Sequence, residues 1–234
     1  MHQRQRHVRL RDGTRCLIRP IRPDDKDRLQ AGLQLLSPQA RRLRFNASVD
    51  RLTADQLRYL TEIDYSDHMA WVALDEDDEA GPGMGVARYI RLKDEPTVAE
   101  GAVTVIDRYQ GRGLGTVLLA VLGTSAIEAG ISVFRNYVVA SNTAMLELFE
   151  QLGATLEPAG GGLLLVDYPL PTDPADLPDT PAGRVMRRVA TAPSRFGFSP
   201  PLWIEDAGLP PADAHHTDLD HWLDEMFPTQ PPPT

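Results

Sequence analysis

The most informative part of the sequence is Glu100-Gly-Ala-Val-Thr-Val-Ile-Asp-Arg-Tyr-Gln110-Gly111-Arg112-Gly113-Leu114-Gly115-Thr116. A β-strand pattern runs into a glycine-rich loop, and a helix pattern begins at once. The free amides and positive dipole end of a helix N-terminus bind a pyrophosphate. Glycines let the main chain approach the phosphates because no Cβ stands in the way. The stretch therefore predicts a phosphate-binding turn between a strand and a helix.

Antiparallel structure precedes this stretch, and alternating helices and strands follow it. The elements predicted before the helix are a hairpin over 7–19, helices over 24–36, 39–45 and from Thr53, and strands over 69–74, 85–92 and 97–106. Those predicted from the loop onward are helices over 113–129 and 143–152 and strands over 133–140 and 162–168. This order predicts an α/β (α+β) fold, with a mixed, mostly antiparallel central sheet flanked by helices.

Two other nucleotide-binding folds also use a glycine-rich loop. A Rossmann site needs its loop in the first βα unit, whereas this loop follows about 100 residues of mostly antiparallel structure. A P-loop needs Gly-Lys-Ser/Thr, and no lysine is present in this loop. Both folds are therefore excluded.

The chain resembles the GNAT acyltransferase superfamily in two motifs. Residues 105–116 are similar to its coenzyme A signature, Gln/Arg-x-x-Gly-x-Gly/Ala after a strand, and residues 142–153 to its asparagine that opens the next helix. More narrowly, residues 18–25, 36–45 and 99–100 resemble the GNAT domain of bacterial protein lysine acetyltransferases. The resemblance covers about residues 8–168 and implies a sheet that is splayed at the coenzyme A site.

The resemblance also implies an N-acetyltransferase (EC 2.3.1.-) with acetyl-CoA or another acyl-CoA as co-substrate, no metal, and a direct attack by an amine, most specifically a protein lysine. Glu100, on the strand that leads to the loop, is then the general base. A main-chain N–H near Val105 would face the thioester oxygen. The implied coenzyme-binding residues are Val103, Thr104 and Val105 along the pantetheine arm, Gln110, Gly111, Arg112, Gly113, Leu114, Gly115 and Thr116 around the pyrophosphate, and Asn142 near the thioester.

One position departs from the family pattern. Many of these enzymes carry a tyrosine seven residues after the asparagine, as the acid toward the leaving thiolate, and here that position is Phe149. Either no side-chain acid is needed, because a coenzyme A thiol is a good leaving group, or another residue supplies the proton. Tyr137, Tyr109 and His68 are the candidates, and the sequence does not choose among them.

Composition divides the chain at residue 170. Thirteen of the 20 prolines lie in 171–234, which carries ten acidic residues against four arginines. We expect a GNAT domain over 1–170 and a proline-rich acidic extension over 171–234 that is mostly irregular. One short helix is expected near 217–227, where Leu219, Trp222 and Leu223 would dock on this domain or on a second copy in a homodimer.

Charge and hydropathy limit the partners. The net charge of -9 argues against nonspecific nucleic-acid binding. No apolar run is long enough for a membrane span or follows the first residues as in a signal peptide, so a cytoplasmic protein is expected. The segment from Arg4 to Arg22 is nevertheless basic, with seven arginines against Asp12. It is either a solvated strand face or a patch that meets an acidic partner or the coenzyme phosphates.

Three functions remain open at this stage. The first is acetyl transfer to a protein lysine, and the second is acetyl transfer to a small-molecule amine. The third is a non-catalytic module that binds and senses acyl-CoA. Glu100 favours catalysis, whereas Phe149 favours the non-catalytic alternative.

Overall fold

The computed structural model describes residues 5–45, 50–78 and 80–191, with side-chain detail for all of these except 42–45. The strands are β1 (Arg6–Arg9), β2 (Arg15–Pro20), β3 (His68–Asp75), β4 (Gly85–Arg91), β5 (Val98–Val105), β6 (Val133–Val139), β7 (Thr155–Gly160) and β8 (Leu163–Pro169). The helices are α1 (Lys26–Gln34), α2 (Pro38–Phe45), α3 (Ala54–Thr61), α4 (Leu114–Glu128), α5 (Thr143–Gln151) and α6 (Pro181–Thr191).

All eight strands form one sheet in the order β1-β2-β3-β4-β5-β6-β8-β7. Every neighbouring pair is antiparallel except β5 and β6, which run parallel. That parallel pair is joined at only two positions, Val98 with Val133 and Ala99 with Phe134. Beyond these positions the two strands diverge, so the sheet is split in its middle, as the fold class implied.

Helices cover both faces of the sheet. The long helix α4 packs on one face, where the indole Nε1 of Trp71 on β3 donates to the hydroxyl of Ser125 at 3.0 Å. On the other face, Leu29 and Leu33 of α1 line a small cavity together with Val72 and Thr104. Successive residues of a strand point to opposite faces, so β5 presents odd-numbered side chains to α4 and even-numbered ones to the α1 side.

The predicted helix boundaries have identifiable local causes. Thr53 caps α3, because its hydroxyl accepts from the Gln56 N–H at 3.2 Å and the Gln56 side chain accepts from the Thr53 N–H at 2.8 Å. Beyond the ends of α4 and α5, Gly130 and Gly153 each have a φ of +79°. A left-handed glycine there ends a helix without steric cost.

Two elements differ from the expectation. Strand β7 was not predicted, and the mostly irregular chain expected after 170 is wrong for residues 181–191, which form α6. This helix buries Ala182, Gly183 and Met186, and it packs against α4. The expected helix near 217–227 lies outside the described residues, and the division of the chain at residue 170 stays a prediction.

Candidate active site

A cleft of about 880 Å³ opens where β5 and β6 diverge. Its walls are the free edge of β5, the loop that leads to α4, strand β6, and helix α5. The start of α6 adds Pro181, Ala182 and Val185 to the lining. Because the split lies between two strands, main-chain groups as well as side chains face the cavity.

The hydrogen bonds of β5 alternate between its two sides, and they show which of its main-chain groups face the cleft. The Gly101 N–H does not bond to β4 but to the side-chain Oδ1 of Asn136 on β6, at 2.8 Å. The Ile106 N–H, by contrast, donates back to the carbonyl of Met84 at 3.0 Å. In an antiparallel pair alternate residues bond to the same neighbour. The odd-numbered residues of β5 therefore direct their N–H and C=O groups into the cleft.

Among the three β5 residues expected to meet the pantetheine arm, Val103 and Val105 belong to this open set. The main chain of Thr104 pairs with β4 instead. The Val105 carbonyl accepts from the Gln110 side chain at 3.0 Å, which folds the start of the loop back onto the strand. The open main-chain groups available to a ligand are thus centred on Val103 and on the Val105 N–H.

The glycine-rich loop turns this edge into the start of α4. Gly111 and Gly113 have φ angles of +71° and +89°, in the left-handed region that favours glycine. Gly113 directly precedes α4. The free N–H groups in the first turn of this helix therefore point toward the cleft mouth. Gly115 and Thr116 line the cleft, whereas the Leu114 side chain is buried in the core.

The side chain of Arg112 turns away from the cleft, unlike the main chain of its loop. Its guanidinium pairs with the Asp12 carboxylate on the hairpin between β1 and β2. The Cζ atom of this guanidinium also lies 5.3 Å from the centre of the Tyr109 ring. Arg112 is not among the residues that line the cleft, so its side chain holds the loop to the hairpin.

Two asparagines occupy the opposite wall. Asn142 precedes α5, and its Oδ1 accepts from the Met145 N–H at 3.4 Å, which confirms the expected cap. Asn136 is only 5% exposed. The Gly101 N–H can only donate, so Asn136 must present Oδ1 to it, and Nδ2 is left as a buried donor without a described partner. No local pattern in the sequence indicates Asn136, because its position at the cleft depends on the split between the strands.

Glu100 lies at the inner end of the cleft, next to the point where β5 and β6 rejoin. It pairs across the ladder with Ile90 of β4 and is partly buried. As an even-numbered residue it projects from the sheet face opposite α4. The carboxylate and the helix N-terminus therefore approach the split from opposite faces.

Phe149 and the three residues considered as proton donors to the leaving thiolate lie in different surroundings. Phe149 lines the cleft and is buried against Tyr168, with ring centres 6.0 Å apart. Tyr137 also lines the cleft. Tyr109 donates its hydroxyl to Asp75 at 2.7 Å, and burial followed by this contact raises the pKa of Tyr109. His68 lies outside the cleft, bonded to Arg88, so it does not serve as the acid.

These features define the class of protein. A split sheet edge with free main-chain groups, a glycine loop at a helix N-terminus and a carboxylate at the far end suit the transfer of an acyl group from coenzyme A. Within the described residues no cluster of three or more His, Cys, Asp or Glu side chains is suited to hold a metal. In the same part of the chain, no helix is both long and apolar enough to span a membrane.

Comparison with known proteins identifies the family. The model of the acetyltransferase (GNAT) family matches residues 34–154, more than half of the chain. The chain belongs to this family.

The similar proteins carry consistent names. The chain is 35% identical over 164 residues to acetyltransferase Pat of Mycolicibacterium smegmatis, covering 70% of this chain and 48% of Pat. It is 37% identical over 144 residues to acetyltransferase PA5475 of Pseudomonas aeruginosa, covering 62% of this chain and 77% of that protein. The chain therefore spans about half the length of Pat and most of PA5475.

A solved structure supports the fold. The GNAT domain of S. lividans PAT superposes with a TM-score of 0.65 at 30% identity, covering 71% of this chain and 97% of that domain. The mixed, mostly antiparallel sheet flanked by helices is thus confirmed as the GNAT fold.

Proposed function

We propose that this chain moves an acetyl group from acetyl-CoA to the side-chain amine of a protein lysine, by direct attack and with Glu100 as the general base. One observation carries the proposal. The free edge of β5 runs from Glu100 at one end of the cleft to the coenzyme loop at the other. A single strand thereby aligns the base, the binding edge and the phosphate site.

Main-chain groups would hold the coenzyme along this edge. Acetyl-CoA supplies an acetyl thioester, which is already activated toward an amine. Val103 and the Val105 N–H would bond its pantetheine arm, and the first turn of α4 would bind its pyrophosphate. A β5 N–H aimed into the cleft would also stabilise charge on the thioester oxygen. Asn142 and Asn136 on the opposite wall add polar groups near the thioester.

Glu100 would prepare the amine. The reference pKa of a lysine, about 10.4, leaves little free amine at neutral pH. The Glu100 carboxylate would take the ammonium proton, directly or through water, from the sheet face opposite α4. The neutral amine would then attack the thioester carbonyl carbon, and the C–S bond would break. The coenzyme would leave as a thiolate that needs no side-chain acid, and the nitrogen would release its extra proton to water. The phenyl ring of Phe149 is consistent with such a mechanism.

The lysine acceptor depends on the resemblance of residues 18–25, 36–45 and 99–100 to protein lysine acetyltransferases. A small-molecule amine and a non-catalytic acyl-CoA sensor are the alternatives that an assay separates. We expect acetyl-CoA-dependent thiol release that is accelerated by lysine-containing proteins, with acetyl-lysine found by mass spectrometry. Thiol release with small amines alone would identify the first alternative. Coenzyme binding without amine-dependent release would identify the second.

The Glu100→Gln variant tests the base. We expect kcat to fall by about 10²- to 10⁴-fold at pH 7, because the amide cannot accept the ammonium proton. The loss should shrink toward pH 10, where the free amine becomes abundant. Glu157→Gln, on the exposed edge strand β7, is the matched control. An unchanged amine-dependent rate across pH 7–9 in the Glu100 variant would remove this assignment.

A further inference from the structure

One cation at the cleft mouth has no role in the reaction described above. Arg11 lies at the tip of the hairpin between β1 and β2, where the Leu10 N–H donates to the Thr14 carbonyl at 2.9 Å to close the turn. Arg11 is exposed, and it lines the cleft. It precedes residues 34–154, which the family model matches.

The hairpin tip is fastened to the coenzyme loop by several contacts. The Arg11 N–H donates to the Arg112 carbonyl at 3.5 Å. The Arg112 guanidinium pairs with Asp12 and also donates to the Thr14 hydroxyl at 3.5 Å. Hydrogen bonds from Thr14 and then the Arg112 charge lower the pKa of Asp12, so the carboxylate stays ionised. The tip is thus held against the loop.

As a result of these contacts, the side chain of Arg112 lies against the hairpin and the side chain of Arg11 lies against the loop. Arg112 belongs to the loop, but its charge is neutralised by Asp12 on the hairpin. Arg11 belongs to the hairpin, but its Nε lies 3.8 Å from the position that a Cβ on Gly113 would occupy. Gly113 directly precedes α4, so the Arg11 side chain lies beside the N-terminus of that helix.

The charged side chains that line the cleft are mostly acidic. Among the described residues, Arg11 is the only lysine or arginine that lines the cleft. The carboxylates on the same lining are Glu100, Asp107 and Glu147. Within the described parts of the chain, no carboxylate lies within 4.0 Å of the Arg11 guanidinium. Its charge is therefore available to an anion at the helix N-terminus.

We propose that Arg11 binds a phosphate group of the coenzyme, together with the first amides of α4. This inference rests on the proposed acetyl-CoA site. A helix N-terminus contributes only about half a positive charge, whereas coenzyme A carries a pyrophosphate and a 3′-phosphate. The guanidinium of Arg11 supplies the full charge and the forked donors that phosphates prefer. The basic hairpin seen in the sequence thereby has a function at its tip.

The test compares the affinities of the full-length chain for acetyl-CoA and for its analogue without the 3′-phosphate, acetyl-dephospho-coenzyme A, by titration calorimetry. We expect Arg11→Gln to weaken acetyl-CoA binding about tenfold, the effect of losing one charge-assisted hydrogen bond, and Arg11→Lys to recover part of it. A similar loss with the analogue assigns Arg11 to the pyrophosphate. A loss confined to acetyl-CoA assigns it to the 3′-phosphate.

Arg9→Gln is the matched control, because it removes an exposed charge from the same hairpin away from the cleft lining. Affinity of the Arg11→Gln variant within twofold of the native chain would overturn the inference. So would an equal loss in the Arg9 variant, since the effect would then be one of overall charge. Absence of acetyl-CoA binding by the native chain would instead overturn the proposed coenzyme site, and this inference with it.

Discussion

A buried pair lies on the same sheet face as Glu100. The guanidinium of Arg88 bonds to the His68 ring at Nε2 and donates to the Leu60 carbonyl at 2.7 Å. An arginine keeps its proton, so Nε2 must be the acceptor and His68 must be neutral. Burial, and then the charge of Arg88, lower the pKa of His68. A residue considered as a proton donor is therefore a structural acceptor.

This pair predicts how stability depends on pH. The unfolded chain takes up a proton on His68 below about pH 6.5, whereas the folded chain does not, so His68 stabilises the fold above that pH and the contribution is lost as the pH falls. We expect a slope of up to about 1.4 kcal/mol per pH unit from this residue. His68→Gln keeps an acceptor and should flatten the decline between pH 6.5 and 5 in urea unfolding. His7→Gln, at an exposed site, should not; equal slopes in both variants would contradict the assignment.

The sequence identified those residues whose positions depend only on the local sequence pattern. Asn142 was expected to open a helix, and it caps α5. Arg11 and Asn136 have no local signature, because their positions depend on a hairpin and a strand that meet the loop from distant parts of the chain. The basic composition of the hairpin was the only signal for Arg11, and it left a solvated strand face open as the other interpretation.

Among the helices and strands, α6 depends on close contact of its first residues with the end of α5 and with the turn at Pro178. The Thr180 hydroxyl donates to the Gln151 carbonyl at 2.8 Å, and the Gln151 side chain accepts from the Ala182 N–H at 3.2 Å. These bonds join the start of α6 to the end of α5. Gly183 lies so near the preceding turn that a Cβ would be 2.0 Å from the Pro178 carbonyl oxygen.

Gly183→Ala should therefore destabilise the protein by roughly 1–3 kcal/mol, because main chain rather than a flexible side chain must move. Gly32→Ala in α1 is the matched control. Its Cβ would meet only the Gly83 carbonyl oxygen at 3.7 Å, an ordinary contact. Alanine is also the better helix former by about 1 kcal/mol, so this variant should be equally or more stable. Urea unfolding measures both; equal stabilities would show that α6 does not pack as described.

The two elements that were not predicted from the sequence, α6 and β7, have different physical causes. Proline and charged residues in 171–191 indicated irregular chain and hid the marked apolar face that residues 181–191 carry. Strand β7 contains Pro158 and two exposed ends, and it is stabilised by pairing with β8 alone. The strands of the meander follow from local patterning between polar turns, and α4 from a long apolar segment that Gly113 and Gly130 bound.

At the scale of the whole molecule, one core joins segments within and beyond the family match. Tyr168, Leu177 and Met186 follow residue 154, where the match ends, yet they are buried in the same cluster as Leu122 and Phe149. The Tyr168 hydroxyl donates to the Met186 sulfur at 3.7 Å. Since Phe149 and α6 also line the cleft, occupation of the cleft is expected to stabilise the entire domain.

The thermal stability that acetyl-CoA adds is a measure of this coupling. Acetyl-CoA at 100 times its Kd should add about 2.7 kcal/mol of stability, which for a chain of this size raises Tm by roughly 5–10 °C. Glu100→Gln should keep the shift, because the proposed base would act on the amine and not on the coenzyme. Gly113→Ala should lower both the ligand-free Tm and the shift, since a φ of +89° costs alanine about 1–2 kcal/mol and distorts the glycine-rich turn proposed to bind phosphate. Scanning calorimetry with and without acetyl-CoA tests all three proteins. A native chain whose Tm does not respond to the coenzyme would show that the split between β5 and β6 does not hold it.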